Sequence, residues 1–164
     1  MKSITLLRHA KSSWHTAGLA DRDRPLNKRG QRDAPIMGKR IGAQDIRPSL
    51  IISSPAVRAW TTARIIAESI NYPREFLQRD ERLYGASVDT ILDVIADQDP
   101  GFNNLMIVGH NPGLTRFANY LVEDITPNLP TCGVVSVLID SDDWNLRGRP
   151  VATLTLFDHP KRAE

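Results

Sequence analysis

The sequence predicts an α/β domain, a three-layer α/β/α sandwich built on a mixed, mostly parallel central sheet. Three observations predict it. Residues 4–7 (ITLL), 50–52 (LII) and 105–108 (LMIV) are short apolar and β-branched runs with the look of strands buried on both faces. Helical segments alternate with these runs, which is the order that builds a parallel sheet covered on both sides. Two more apolar runs, at 134–139 and 151–157, lie close enough together to pair antiparallel at one edge.

Each element has its own local reason. The first run, ITLL, stops abruptly at Arg8-His9 and is followed by small and polar residues, Ala10 to Ser13. Residues 12–24 are polar and lack periodicity, so they read as a loop; it carries Asp21, Arg22, Asp23 and Arg24. Asn27 is a cap for a helix over 28–41 that ends near Gly42, and Pro35 inside it predicts a kink or a split. The second strand, 50–52, sits between Pro48 and Ser53-Ser54-Pro55. Residues 56–70 carry the strongest helical pattern, with Val57, Trp60, Ala63, Ile66, Ala67 and Ile70 on one stripe. Residues 75–78 read as a short strand and 80–86 as a loop. Ser87 can cap a helix over 88–96, which Asp99-Pro100-Gly101 terminates. The third buried strand closes on Gly109-His110-Asn111-Pro112-Gly113. A helix over 114–122 follows, then a loop at 126–130 and the final strand pair around a turn at 140–148. No repeat, low-complexity stretch or shift in composition divides the chain, so residues 1–164 are expected to form one domain.

Composition removes several classes of function. The 164 residues are 41% hydrophobic and 24% charged, and 21 Lys and Arg stand against 19 Asp and Glu for a net charge of +2. That balance, with no lysine-rich run, argues against a nucleic-acid partner. The apolar start after Met1-Lys2 is too short for a signal peptide, and no stretch approaches a membrane span. Cys132 is alone, so no internal disulfide can form, which fits a reducing cytoplasm.

The candidate site lies where the strands end. A cation and an imidazole at the carboxyl end of a buried strand are costly unless something binds there, and that end is where α/β sheets place their ligands. Three runs end in such groups: Arg8-His9, Ser53-Ser54 with Arg58 close behind, and His110-Asn111. Parallel strands bring these ends to one rim. Two imidazoles and two guanidiniums, with no carboxylate fixed beside each, make a cationic pocket suited to an anion with several oxygens. Guanidinium forks match phosphate in particular.

Taken together, Leu7-Arg8-His9-Ala10, Arg24-Pro25-Leu26-Asn27 before Gly30, residues 53–63 (SSPAVRAWTTA) and Val108-Gly109-His110-Asn111-Pro112 resemble the histidine phosphatase superfamily, and within it the small SixA-type phosphohistidine phosphatases. The resemblance runs from Ile4 to about Leu121 and implies a phosphoglycerate mutase-like fold. It implies that His9 is a nucleophile forming a covalent phosphohistidine, with Arg8, Arg58 and His110 holding the phosphoryl oxygens. Arg24 and the backbone amide of Asn111 are further candidate contacts. A neutral imidazole can attack at neutral pH, and nearby arginines disfavour its protonation. Its second ring nitrogen must then be held as a donor, with a backbone carbonyl as the expected acceptor. Side chains supply the cations, so neither metal nor cofactor is expected. The partner is a phosphorylated substrate, with a phosphohistidine-bearing signalling or phosphotransfer protein as the leading case and small phosphoesters or phosphoramidates as the alternative. A catalytically weak domain that only binds phosphorylated ligands is the rival of another class.

The proton donor to the leaving group stays open among Glu81, Asp21, Asp23 and none. Glu81 stands in ERLYG as an acid of larger family members does, whereas the SixA-type branch looks as if it manages without one. Other chemistries fit less well. Cys132 lacks the arginine six residues on that a cysteine phosphatase requires (Leu138 stands there) and reads as a buried strand residue. Asp140, Asp142 and Asp143 fall in the turn before the last strand, where solvated acids are usual. His15 and His159 have no partner at metal-ligand spacing. Trp60 is expected in the core, and Trp14 either walls the pocket or packs inside.

Overall fold

A computed structural model describes residues 1–14 and 16–162, which leaves His15 outside the described residues. Six strands form one sheet: β1 (Lys2–Arg8), β2 (Leu50–Ser53), β3 (Gln78–Arg79), β4 (Asn104–Gly109), β5 (Val134–Ile139) and β6 (Ala152–Asp158). Their spatial order is β3-β2-β4-β1-β5-β6. The first four run parallel, whereas β5 and β6 add antiparallel to β1 and to each other. The sheet is therefore mixed, as expected. β1, β2 and β4 are adjacent, so the carboxyl ends of the three buried runs share one rim.

Four helices cover the two faces: α1 (Lys28–Ala43), α2 (Val57–Ser69), α3 (Val88–Ala96) and α4 (Gly113–Leu121). The period-two alternation of the strands assigns the layers. Leu105 and Ile107 of β4 join Ile4, Leu6, Ile52 and the inner faces of α3 and α4. Met106 and Val108 join Leu7, Ile51 and the inner faces of α1 and α2. Asn27 caps α1 by accepting from the Gly30 amide at 2.9 Å, and Ser87 caps α3 by accepting from the Thr90 amide at 3.2 Å. Among the described residues no helix is long and apolar enough to cross a membrane.

Several local expectations change. Pro35 neither splits nor ends α1; it lies on the exposed face, where water can satisfy the carbonyl that loses its partner. The strand expected at 75–78 is a 3-10 turn (Arg74–Phe76) followed by the two-residue β3, because Pro73 and the edge position leave little to pair with. The loops at 12–24 and 80–86 each contain one 3-10 turn, Asp21–Asp23 and Glu81–Leu83. Cys132 is buried, but in the turn before β5 with a left-handed backbone (φ 58°), not in the strand. Trp60 is only half-buried, with the Arg79 guanidinium 4.0 Å from its ring centroid.

Two glycines bring loops close to the rim. A Cβ at Gly30 would stand 2.1 Å from the Lys11 carbonyl oxygen, so α1 can press against the chain leaving β1 only without a side chain there. Gly113 plays the same part for α4, where a Cβ would meet the Ala86 carbonyl oxygen at 2.1 Å. That approach draws in the segment that carries Tyr84.

Candidate active site

His9 sits one residue past β1 and is held by its main chain on both sides. Its amide donates to Gly109 at the end of β4, and its carbonyl accepts from Cys132 in the turn before β5. The next amide, Ala10, donates to Thr62 Oγ1 on α2, which in turn donates to the Arg58 carbonyl. The backbone that carries the imidazole is thus fixed by three neighbouring elements, β4, the turn before β5 and α2. Its Nδ1 lies 2.7 Å from the Ala10 carbonyl oxygen. A carbonyl can only accept, so Nδ1 carries the proton and Nε2 keeps a free lone pair. Burial, with His110, Arg58 and Arg8 nearby, pushes the His9 pKa down to about 3. His9 is neutral at physiological pH.

The structure brings His110 and both arginines to the same place. The His9 and His110 ring centroids are 5.2 Å apart, and His110 Nε2 is 2.7 Å from Ser54 Oγ. Burial, reinforced by Arg58, brings the His110 pKa to about 4. Arg8 donates through Nη1 to the Leu129 carbonyl, and burial with Arg58 nearby lowers its pKa. Arg58, in the first turn of α2, reaches the Asp21 carbonyl through Nη1 (2.7 Å) and its carboxylate through Nη2 (3.0 Å). Among the described residues, Arg8 Nε, Arg58 Nε and His110 Nδ1 are buried and have no hydrogen-bond partner. Unpaired buried N–H groups such as the two arginine Nε are rare in native folds, and an oxyanion would satisfy them.

Asp21 overturns one expectation, since a carboxylate is fixed beside the arginines after all. It accepts from Arg58, from Arg24 Nε (3.1 Å) and from the Tyr84 hydroxyl. The Tyr84 hydrogen bond and the Arg58 guanidinium hold its pKa at about 2. Tyr84 also presents its ring edge-on to His110, with centroids 5.6 Å apart. Arg24 stands one side chain further back, joined to Arg58 through Asp21, bonded to Ser12 and stacked 3.4 Å from the ring centroid of the exposed Trp14. The side chain of Asn111 is engaged structurally: it donates to Asn128 and to the Leu129 carbonyl that also receives Arg8, and it accepts from Thr115. Glu81 lies out on the surface, 73% exposed and paired with Arg22. The exposed Asp23 makes none of the bonds that link Asp21 to Arg58. Ser54 and Thr62 lie inside SSPAVRAWTTA and Tyr84 inside ERLYG, but the sequence assigns none of them a role, which geometry alone reveals.

The comparisons with known proteins place the chain in a family. The family model for the histidine phosphatase superfamily (branch 1) matches residues 4–89, which include Arg8, His9 and Arg58. The chain belongs to the histidine phosphatase superfamily. An uncharacterized relative from Mycobacterium tuberculosis is 32% identical over 148 residues, covering 84% of this chain and 89% of its own. The Agrobacterium tumefaciens protein assigned as phosphohistidine phosphatase SixA superposes with a TM-score of 0.84 at 27% identity, covering 97% of this chain and 98% of that one. A protein histidine phosphatase SixA complexed with tungstate shares the fold at a TM-score of 0.79 and 20% identity, covering 96% of this chain and 97% of that one. The fold is phosphoglycerate mutase-like, and the superfamily makes the chain a phosphatase- or mutase-type enzyme.

The buried histidines of this superfamily member have a consequence for stability. Unfolded, His9 and His110 titrate near 6.5; folded, they titrate at about 3 and about 4. Between those values the unfolded chain binds protons that the native chain refuses, so stability is fully present above pH 6.5 and falls as the pH drops. Asp21 adds to the loss as the pH falls from 3.8 towards its folded value of about 2. The urea midpoint is expected to decline steadily from pH 7 to pH 4. A flat midpoint across that interval would contradict the buried, neutral state of both rings.

Proposed function

We propose that the protein is a phosphatase that works through a phosphohistidine on His9 and acts on phosphohistidine carried by another protein. The observation that carries the reading is the Nδ1–H to Ala10 bond, which leaves Nε2 of a neutral imidazole free beside two guanidiniums. In the first step the Nε2 lone pair attacks phosphorus and the bond from phosphorus to the substrate's leaving nitrogen breaks. The phosphoryl charge is met by Arg8, Arg58 and a donor from His110, with the Asn111 amide and Arg24 as outer contacts. In the second step water attacks the phosphohistidine, the P–N bond to His9 breaks, and inorganic phosphate and a proton leave.

The state of the acids favours a phosphoramidate substrate. Asp21 is ionised at neutral pH and already accepts three bonds, and the Tyr84 hydroxyl is spent on it. Glu81 is tied to Arg22 at the surface. An alkoxide leaving group needs a proton that these groups do not offer, whereas an imidazole can leave already protonated. Because side chains supply the positive charge, activity is expected to persist in excess chelator.

The test is a hydrolysis panel of a phosphohistidine protein, phosphoramidate, simple phosphoesters and sugar phosphates, with acid-labile phosphate trapped on the enzyme. The phosphohistidine protein and phosphoramidate are expected to turn over far faster than the alkyl esters. A preference for sugar phosphates would reassign the substrate class, and binding without turnover would leave a phospho-ligand-binding domain.

A further inference from the structure

Ser54 follows β2 and is fully buried. Its hydroxyl has one proton to place and can also accept. Two groups lie within hydrogen-bond reach of Oγ. The Ala56 amide, at 3.2 Å, can only donate; His110 Nε2, at 2.7 Å, can do either. Among the described residues Oγ has no other partner, so Nε2 is the one acceptor open to the Ser54 proton. Were Nε2 itself protonated, Oγ would face two donors and its own O–H would be stranded in a fully buried position, which folded proteins avoid.

His110 is neutral and carries a single proton. If Nε2 accepts from Ser54, that proton resides on Nδ1. Among the described residues Nδ1 has no hydrogen-bond partner, and its ring centroid lies 5.2 Å from that of His9. We propose that Ser54 sets the tautomer of His110, keeping its proton on Nδ1 so that an N–H and not a lone pair meets the phosphoryl oxygens. Ser54 is thus a positioning residue that acts through His110. The same oxygen accepts from Ala56, the residue just before α2, so one hydroxyl ties the helix that carries Arg58 to the second histidine. The consequence for catalysis rests on the phosphatase reading; the tautomer itself does not.

The decisive measurement is the imidazole 15N spectrum of His110 in the labelled protein at neutral pH, assigned with a His110 variant. The expected pattern is a pyrrole-like Nδ1 and a pyridine-like Nε2. In Ser54→Ala the proton is expected to redistribute towards Nε2, and kcat for phosphoramidate to fall at least about tenfold, approaching the ~10²–10³ of a lost oxyanion donor, with KM changed less. Ser54→Thr, which keeps the hydroxyl, is expected to restore both. A wild-type proton on Nε2, or a Ser54→Ala protein with the tautomer unchanged, overturns the proposal. The wild-type pattern does not depend on Ser54→Ala, so a misfolded Ser54→Ala protein would not shield the proposal. An Nδ1–H pattern that Ser54→Ala shifts, in a protein that hydrolyses no phosphoryl compound, would uphold Ser54's role and sink the phosphatase reading instead.

Discussion

His9→Ala is expected to abolish turnover and the acid-labile phosphoenzyme together, with a loss on the order of 10⁴-fold or more, the scale seen when a covalent nucleophile is removed. The substitution is well suited to the question because the backbone of residue 9 does not depend on its ring. The amide still donates to Gly109 and the carbonyl still accepts from Cys132, so the chain keeps its path past β1. What disappears is the one neutral imidazole whose Nε2 is free by virtue of the Ala10 contact. Rapid-quench labelling with a phosphoryl donor, run beside a thermal melt, separates lost chemistry from lost fold. A folded His9→Ala protein that still turned over, or still gathered acid-labile phosphate, would remove His9 from the nucleophile's role.

The four residues at the strand ends are readable in the sequence because each breaks a rule at a place where breaking it is costly. Arg8 and His9 stop a buried apolar run dead, His110 does the same after 105–108, and Arg58 follows the third such stop on a helix whose period is clear. Strand parallelism then forces them together, and the sheet order places β4 between β1 and β2. The layers are readable for the same reason: alternation along β4 already assigns each side chain to a face. Asp21 is different. It lies in an aperiodic loop, 37 positions before Arg58 and 63 before Tyr84, and no local pattern encodes which way such a loop turns. Its acidity is visible in the sequence, but its partners are not, so a proton donor and an ionised brace for the arginines look alike until the fold is known. Glu81 is the converse case: a motif-like spacing points to it, yet the 3-10 turn leaves its carboxylate outside with Arg22.

Arg58→Ala is expected to lower kcat by ~10²–10³, the typical cost of deleting one preorganised donor to developing charge. Arg58→Lys should recover little of it. The guanidinium performs two tasks that a point charge cannot combine: Nη1 and Nη2 grip Asp21, while the buried Nε, with no bond among the described residues, remains for a phosphoryl oxygen. A lysine ammonium drawn to the Asp21 carboxylate would turn its charge away from the substrate. The fold should withstand the change, because Asp21 keeps its bonds to Arg24 and Tyr84 and its side chain is 45% exposed, so water can take the vacated place. The same deletion removes a charge that depresses the pKa of both histidines and a donor that holds Asp21 low. Titration of Arg58→Ala by NMR should therefore find His9, His110 and Asp21 all moved upward from their wild-type values. A variant within a few-fold of wild-type kcat, or one with all three titrations unmoved, would place Arg58 outside the reacting centre and leave Arg8 as its main clamp.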